Sequence, residues 1–96
     1  MIIETHYKIG DIVSLKLTSG EEVIARLEEE TEKGYKVTKP LMLAATQQGL
    51  GLAPYMFSIS PEAKVALNKS SVISISKTIK EMSDQYIQGT TGIHIA

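Results

Sequence analysis

Hydrophobic and polar side chains alternate on both sides of a short Ser-Gly turn in the stretch LKLTSGEEVIARL. The apolar positions in phase are Val13, Leu15 and Leu17 before the turn and Val23, Ala25 and Leu27 after it. A period of two residues is typical of half-buried antiparallel strands. Gly20 provides the backbone freedom that a tight connection needs. The pattern therefore predicts a β-hairpin.

A third apolar segment follows a turn that ends at Gly34. The residues that share its apolar face are Tyr35, Val37, Leu41, Leu43 and Ala45. Lys39 interrupts this face beside Pro40. Proline lacks the donor that a sheet ladder uses, and it is tolerated mainly at edges, bulges and strand ends. We therefore expect a third strand that bends at Lys39-Pro40.

Two further strands are predicted in the second half of the chain. Tyr55, Phe57 and Ile59 alternate with other residues, and Val65 and Leu67 continue their phase beyond Pro61. This segment indicates a fourth strand, bent or broken near the sequence SPEA. A polar turn over 68–71 leads into VISIS, a fifth strand with Ile73 and Ile75 directed inward. Five antiparallel strands over about 9–76 are enough to close a small barrel.

The period changes after the last strand. Ile79, Met82 and Tyr86 fall at helical spacing, Thr78 and Glu81 match a capping box, and Gly89 is a natural stop. We expect one short helix over about 78–88, packed against the barrel, and an extended tail over 90–96. The fold class is thus mainly β, with one short C-terminal helix.

Length and composition favour one compact domain over residues 1–96. The 96 residues are 43% hydrophobic and 22% charged, as in globular proteins and unlike disordered chains. A domain of this size buries only a modest share of its surface, so association with copies of itself would stabilise it. Oligomerisation is therefore expected before any motif is considered.

The composition also indicates the cellular compartment and the kinds of partner to expect. Without cysteine there can be neither a disulfide framework nor a thiolate metal site, and a reducing compartment is the simplest context. No apolar run approaches the length of a membrane span. We expect a cytoplasmic protein with no membrane partner. A net charge of −1 leans mildly against nucleic acid, because dedicated binders usually carry a basic surplus.

The chain offers little material for catalysis. His6 and His94 lie near opposite ends, with no cysteine, no Ser-His-Asp ordering and no metal spacing around them. One interpretation of the acidic run over 28–32 is a cation-binding site. A solvated strand end is favoured, because calcium needs several oxygens at defined spacing. We expect no enzyme, no metal and no cofactor.

We expect the stretch over 47–54, QQGLGLAP, to form a loop rich in glycine and leucine. Gly49 and Gly51 do not make a phosphate loop, because no helix and no Lys-Ser/Thr pair follows them. Leu50 and Leu52 either cap their own barrel or are covered by a neighbouring subunit. A loop that binds a partner protein is the third alternative.

The order of these segments resembles the Sm and Sm-like family. The hairpin reads V-x-L-x-L-x-x-G-x-x-V-x-A-x-L, followed by L-M-L and by the late strand-turn-strand L-N-K-S-S-V-I-S-I. From GEEVIARL through QQGLGLAPYMF to DQYIQGTTGI, the chain is similar to small Sm-like proteins attributed to marine cyanophages. The resemblance implies a strongly bent five-stranded barrel, in the cytoplasm of a bacterial host if a phage encodes it.

The resemblance also implies closed rings joined through strand edges, an arrangement that satisfies backbone groups an isolated edge would expose. Residues 65–68 would pair with residues 72–76 of a neighbour. The expected subunit interface comprises Val65, Leu67, Val72, Ile73 and Ile75. A homo-oligomeric pentamer or hexamer is expected.

Function is where the chain departs from the family pattern. Sm proteins hold uridine with an Asn before the third strand's L-x-L and an Arg-Gly pair in the last turn, but Pro40 and Asn68-Lys69 stand at these places. Lys39, Asn68 and Lys69 remain as candidates to contact phosphate in the ring lumen, or as ordinary solvated turn residues. The leading expectation is an RNA-binding or RNA-chaperone-type ring with a non-standard nucleotide site. The alternative is a structural ring that binds a phage or host protein.

Overall fold

The computed structural model describes residues 7–90 and shows an antiparallel sheet of six strands with one C-terminal helix. The elements are β1 (Ile12–Leu17), β2 (Glu22–Glu30), β3 (Gly34–Thr46), β4 (Gly49–Pro54), β5 (Lys64–Asn68), β6 (Val72–Lys77) and α1 (Lys80–Thr90). One 3-10 turn, Lys69–Ser71, joins β5 to β6. The mainly β class with a short helix is therefore confirmed.

The long strand β3 organises the sheet, whose order is β4-β3-β2-β1-β6 with β5 also paired to β3. Met42 of β3 lies between β2 and β4, and Tyr35 lies between β2 and β5. Strands β4 and β5 therefore follow one another along the same edge of β3. Within residues 7–90 the sheet does not close, because β5 pairs only with β3 and β6 only with β1.

The predicted hairpin is confirmed. Val13 lies opposite Ala25 and Leu15 opposite Val23, so the apolar positions of β1 and β2 face the same side. Leu15 is fully buried, and burying such a side chain contributes about 1.5–3 kcal/mol. The main core consists of Val13, Leu15, Leu17, Val23, Ala25, Leu27, Tyr35, Val37 and Leu67.

A second core lies on the opposite face of the sheet, under α1. Ile12 and Ile24 point to this face, since successive strand residues alternate between faces, and they pack against Tyr86 of the helix. The Tyr86 hydroxyl lies 2.8 Å from the Lys39 carbonyl oxygen and 3.1 Å from that of Thr38, and donates to them. The helix is thus tied to the middle of β3.

The predicted bend in β3 is confirmed at Lys39-Pro40. Lys39 has φ +52°, a left-handed backbone conformation that costs a non-glycine residue roughly 1–2 kcal/mol. The contact from Tyr86 holds its carbonyl in place. The bend redirects the second half of β3, so that this half pairs with β4.

Two predictions about the strands are wrong. The stretch over 47–54 is not a loop, because residues 49–54 form β4 and pair with residues 41–46 of β3. The predicted strand through Tyr55 and Ile59 does not form, and only residues 64–68 of that segment are a strand. The sheet has six strands rather than five and does not close within residues 7–90, so the Sm-like barrel stays a prediction.

Ile73 does not point inward as predicted. The pairing of β1 with β6 shifts register between Lys16 and Leu17, so Leu17 lies opposite Val72 and Lys16 opposite Ser74. Ile73 is the extra residue of this bulge and is 64% exposed. Val72 and Ile75 pack against the core.

The helix begins and ends two residues later than predicted. The Thr78 hydroxyl is hydrogen-bonded to that of Ser14, at 2.8 Å, instead of capping the helix. Thr90 belongs to α1 rather than to the predicted tail. The rest of that tail, residues 91–96, and both histidines lie outside the described residues.

Candidate functional site

Two turns meet at one end of the sheet and form what we call the turn cluster, comprising Lys33, Gly34, Asn68 and Lys69. The Lys69 amide donates to the Lys33 carbonyl oxygen at 2.9 Å. Asn68 lies opposite Gly34 in the register between β3 and β5. The link between β2 and β3 is thereby fixed against the link between β5 and β6.

Gly34 makes this approach of the two turns possible. A Cβ at this position would collide with the Leu67 carbonyl oxygen and would lie 3.2 Å from the Asn68 Cα. The atoms it would meet belong to backbone, which cannot rotate away as a side chain can. A residue without a side chain is therefore required where the strands come closest.

The charge of Lys69 is partly compensated within the cluster. Its ammonium lies 3.1 Å from a Glu30 carboxylate oxygen and 5.3 Å from the centroid of the Tyr35 ring. The Tyr7 hydroxyl donates to the other Glu30 oxygen at 3.1 Å. Burial is the main cause, and this hydrogen bond to a carboxylate the second cause, of the rise in the pKa of Tyr7 to about 12. Tyr7 therefore remains a neutral donor to Glu30 at physiological pH.

Asn68 and Lys33 are exposed polar members of the turn cluster. The side chain of Asn68 does not cap the 3-10 turn that follows it, so its amide faces solvent. Amides and ammonium groups are the donors that proteins commonly direct at phosphate oxygens and base edges. With Lys69 they form a set of donors in which Glu30 provides the opposing charge.

Lys39 lies elsewhere. It is five residues beyond Gly34 along β3, which is about 16 Å at roughly 3.3 Å per residue. Its ammonium lies 3.3 Å from the carbonyl oxygen of Thr90, the last residue of α1. A cation at this end of a helix stabilises the helix dipole and an unsatisfied carbonyl. Lys39 thus has a structural role, and the structure does not bring it together with Asn68 and Lys69.

Sequence reasoning missed Lys33 and Tyr35 as neighbours of Lys69. The sequence shows the turn that ends at Gly34, but the family resemblance aligns Pro40 with the position before the third strand's L-x-L and so selects the adjacent Lys39. In the structure β3 begins at Gly34 and continues through the bend. Starting the strand at the glycine places Lys33 at the cluster.

The residues predicted for the subunit interface lie on β5 and β6. Leu67 is buried in the core of its own chain, while Val65, Val72 and Ile75 are partly buried against that core. Ile73 is the exposed member. These side chains contribute mainly to the protomer, and within residues 7–90 each of the two strands has one unpaired backbone edge.

Leu50 and Leu52 are on β4, at the edge of the sheet. Leu50 is 65% exposed, while Leu52 packs on the second core beside α1. Leu52 therefore fits the alternative in which the side chain caps the core of its own chain. Leu50 belongs to neither core and presents an apolar side chain at the sheet edge.

A groove of about 530 Å³ opens beside the bend in β3. We call it the bend groove; it lies between Lys39-Pro40, the segment 56–62 and the end of α1. Phe57 lines it and is 84% exposed, an unusual position for a large aromatic side chain. The groove is mainly apolar, with Glu62 at its margin.

The acidic run over 28–32 is engaged in separate contacts. Glu28 accepts a hydrogen bond from Thr38 at 2.8 Å, Glu29 lies 3.6 Å from the Lys36 ammonium, and Glu30 binds Lys69. In the part of the chain that the structure describes, no three His, Cys, Asp or Glu side chains gather as metal ligands. The same part contains no helix with the length and apolarity to cross a membrane.

Comparison of the sequence with protein-family models and with curated proteins finds no match.

Proposed function

We propose that the chain is a protomer of an Sm-like ring that binds single-stranded RNA at a non-standard nucleotide site. The observation that carries the proposal is the meeting of the two turns, which groups Lys33, Asn68 and Lys69 at one end of the sheet. Without β4, the strands run β6-β1-β2-β3-β5, five antiparallel strands as the family resemblance implies.

The free edges support ring formation. Strands β5 and β6 each present one unpaired backbone edge within residues 7–90. An antiparallel pairing of β5 with β6 of the next copy satisfies these donors and acceptors, and a head-to-tail contact of this kind closes into a ring. Side chains that face each other must share a face, and of the registers that satisfy this we take the one that pairs all of β5, with the inward Val65 opposite the inward Ile75 of the neighbour.

Repetition around a ring gives the turn cluster its capacity for RNA. A single copy offers a few donors with acidic neighbours, a weak site by itself. A ring repeats these donors once in each copy. A single-stranded RNA that contacts several copies binds with higher affinity, because each further contact forms at a high effective concentration. The Lys69 ammonium can exchange Glu30 for a phosphate oxygen at small cost, since exposed ion pairs contribute about 0–1 kcal/mol.

The test is a fluorescence-anisotropy titration with short U-rich RNA, A-rich RNA and single-stranded DNA, at low and at physiological salt. We expect saturable binding that weakens with salt. The variant Lys33→Gln with Lys69→Gln should bind at least about fivefold more weakly. The slope of log affinity against log salt concentration should become shallower by about 0.7 for each phosphate that the variant no longer neutralises.

The matched control is Lys64→Gln with Lys77→Gln. These exposed lysines lie at the opposite ends of β5 and β6, so the variant removes the same charge without touching the turn cluster. An equal loss of affinity in both variants would show general attraction and would contradict the assigned site. No binding by the native protein, even at low salt, would contradict RNA binding altogether.

A second candidate function is a ring that binds another protein and no RNA. It is favoured by the compensation of Lys69 by Glu30 and by the exposed Leu50 at the edge of β4. A partner encoded by a phage or its host would then pack on that apolar edge. The titration separates the two functions, because this ring would leave all three oligonucleotides unbound.

A further inference from the structure

Two exposed apolar side chains stand at opposite edges of the sheet. Ile79, between β6 and α1, is 64% exposed, and Phe57, between β4 and β5, is 84% exposed. Phe57 lines the bend groove, whereas Ile79 has no place in either core. Neither exposure is explained by the fold of a single chain.

We propose that Ile79 of one copy fills the bend groove of the next copy. The proposal rests on the ring proposed as the function and adds a specific side-chain contact to it. Each groove is then completed by the partner, and the exposed Phe57 is covered by the residues around Ile79.

The strand register leads to this contact. With Val65 opposite Ile75 of the neighbour, the two chains run in opposite directions from that point. Four residues before Val65 is Pro61, which lines the bend groove, and four residues after Ile75 is Ile79. Since β5 begins at Lys64 and β6 ends at Lys77, the antiparallel pairing places the segment after the neighbour's β6, which includes Ile79, beside the segment before β5, which includes Pro61.

The two features also lie on the same side of the sheet. Ile79 directly precedes α1, which covers one face of the sheet through the packing of Tyr86 on Ile12 and Ile24. The bend groove includes Gly89 and Thr90 at the end of α1, and so opens on that face as well. When two sheets join edge to edge, their corresponding faces are continuous, so the neighbour's Ile79 and the groove lie on the same side of the joined sheets.

Charge supports the same occupant. Glu62 lies at the groove margin, and Lys80 directly follows Ile79. Lys80 is now paired with Asp84 at 2.8 Å in an exposed contact that is easily exchanged. The one lysine of the groove, Lys39, is directed at the Thr90 carbonyl oxygen and leaves Glu62 to the incoming cation.

Crosslinking tests the contact in the full chain, which has no cysteine of its own. The variant Phe57→Cys with Ile79→Cys is treated with a short bis-maleimide and analysed on a denaturing gel. We expect a ladder of covalent multimers that forms at least about tenfold faster than with Leu50→Cys and Ile79→Cys, because neighbouring thiols react at a high effective concentration. Leu50 is a matched control, since it is similarly apolar and 65% exposed.

A second pair reports on the ring itself. Ala66→Cys with Ser74→Cys places thiols at exposed positions that the same register brings opposite each other across the two strand edges. A ladder from this pair without one from Phe57 and Ile79 would overturn the groove contact and leave the ring intact. If neither pair gives a ladder, the ring and the contact both fail.

Discussion

At the residue scale, the most consequential side chain is Tyr86. It is the one helix residue that is fully buried, and its hydroxyl meets two carbonyl groups of β3 at the point where that strand bends. Burial raises the pKa of Tyr86 to about 12. A tyrosine in this position can hold the left-handed Lys39 and the helix together, which a phenylalanine of the same shape cannot do.

We predict that Tyr86→Phe destabilises the protein by about 1–2 kcal/mol, because two partly buried carbonyls lose their donor. In thermal unfolding this corresponds to a lower Tm by about 4–8 °C per kcal/mol for a domain of this size. The control is Tyr55→Phe, since Tyr55 is partly buried against the main core and its hydroxyl has no side-chain bond among the contacts of residues 7–90. Equal Tm losses in the two variants would contradict the role of the Tyr86 hydroxyl.

The pH dependence of this difference has a definite sign. The folded pKa of Tyr86 is about 12, above the ordinary value of 10.0, so the protonated hydroxyl stabilises the fold fully below pH 10. This contribution is lost as pH rises from 10 to 12. Denaturant unfolding of the native protein and of Tyr86→Phe should show their free energies of unfolding converging over that pH window. A constant difference between the two free energies would be inconsistent with the raised pKa.

At the element scale, period-two patterning predicted β1 and β2 well because one face of each strand is buried. It failed for β4, where glycine has low strand propensity and the pairing with β3 determines the structure. It also failed for Tyr55 to Ile59, since β4 already occupies that part of the β3 edge. For the candidate site, the sequence grouped Lys39 with Asn68 and Lys69, whereas the structure places Lys33 beside Lys69 and directs Lys39 to the end of α1.

The contact between β3 and β5 gives the element-scale prediction. Gly34→Ala should destabilise the protein by about 1–3 kcal/mol, because the new methyl group overlaps the backbone of β5 at Leu67. Circular dichroism during urea unfolding measures the loss.

Gly51→Ala is the control for this substitution. Its nearest neighbour would be the Thr46 side chain at 3.6 Å, an ordinary contact, so replacing this strand glycine should be neutral or stabilising by up to about 1 kcal/mol. If Gly34→Ala were as stable as Gly51→Ala, the close approach of the two turns would be wrong. The turn cluster would then lose its structural basis.

At the scale of the whole molecule, the open sheet and the small core both favour assembly of several copies. The second half of β3 and β4 extend the sheet beyond the main core, and β5 and β6 leave their outer edges unpaired within the described residues. A small domain has little stability in reserve, so an assembly that pairs these edges contributes to the stability of each copy.

The final prediction follows from this coupling of assembly and stability. Light scattering at micromolar concentration should give a pentamer or hexamer of the 10.5 kDa chain, and Tm should rise with protein concentration because dilution releases protomers. A stable monomer whose Tm is independent of concentration would contradict the ring, and the repeated RNA site and the groove contact depend on that ring.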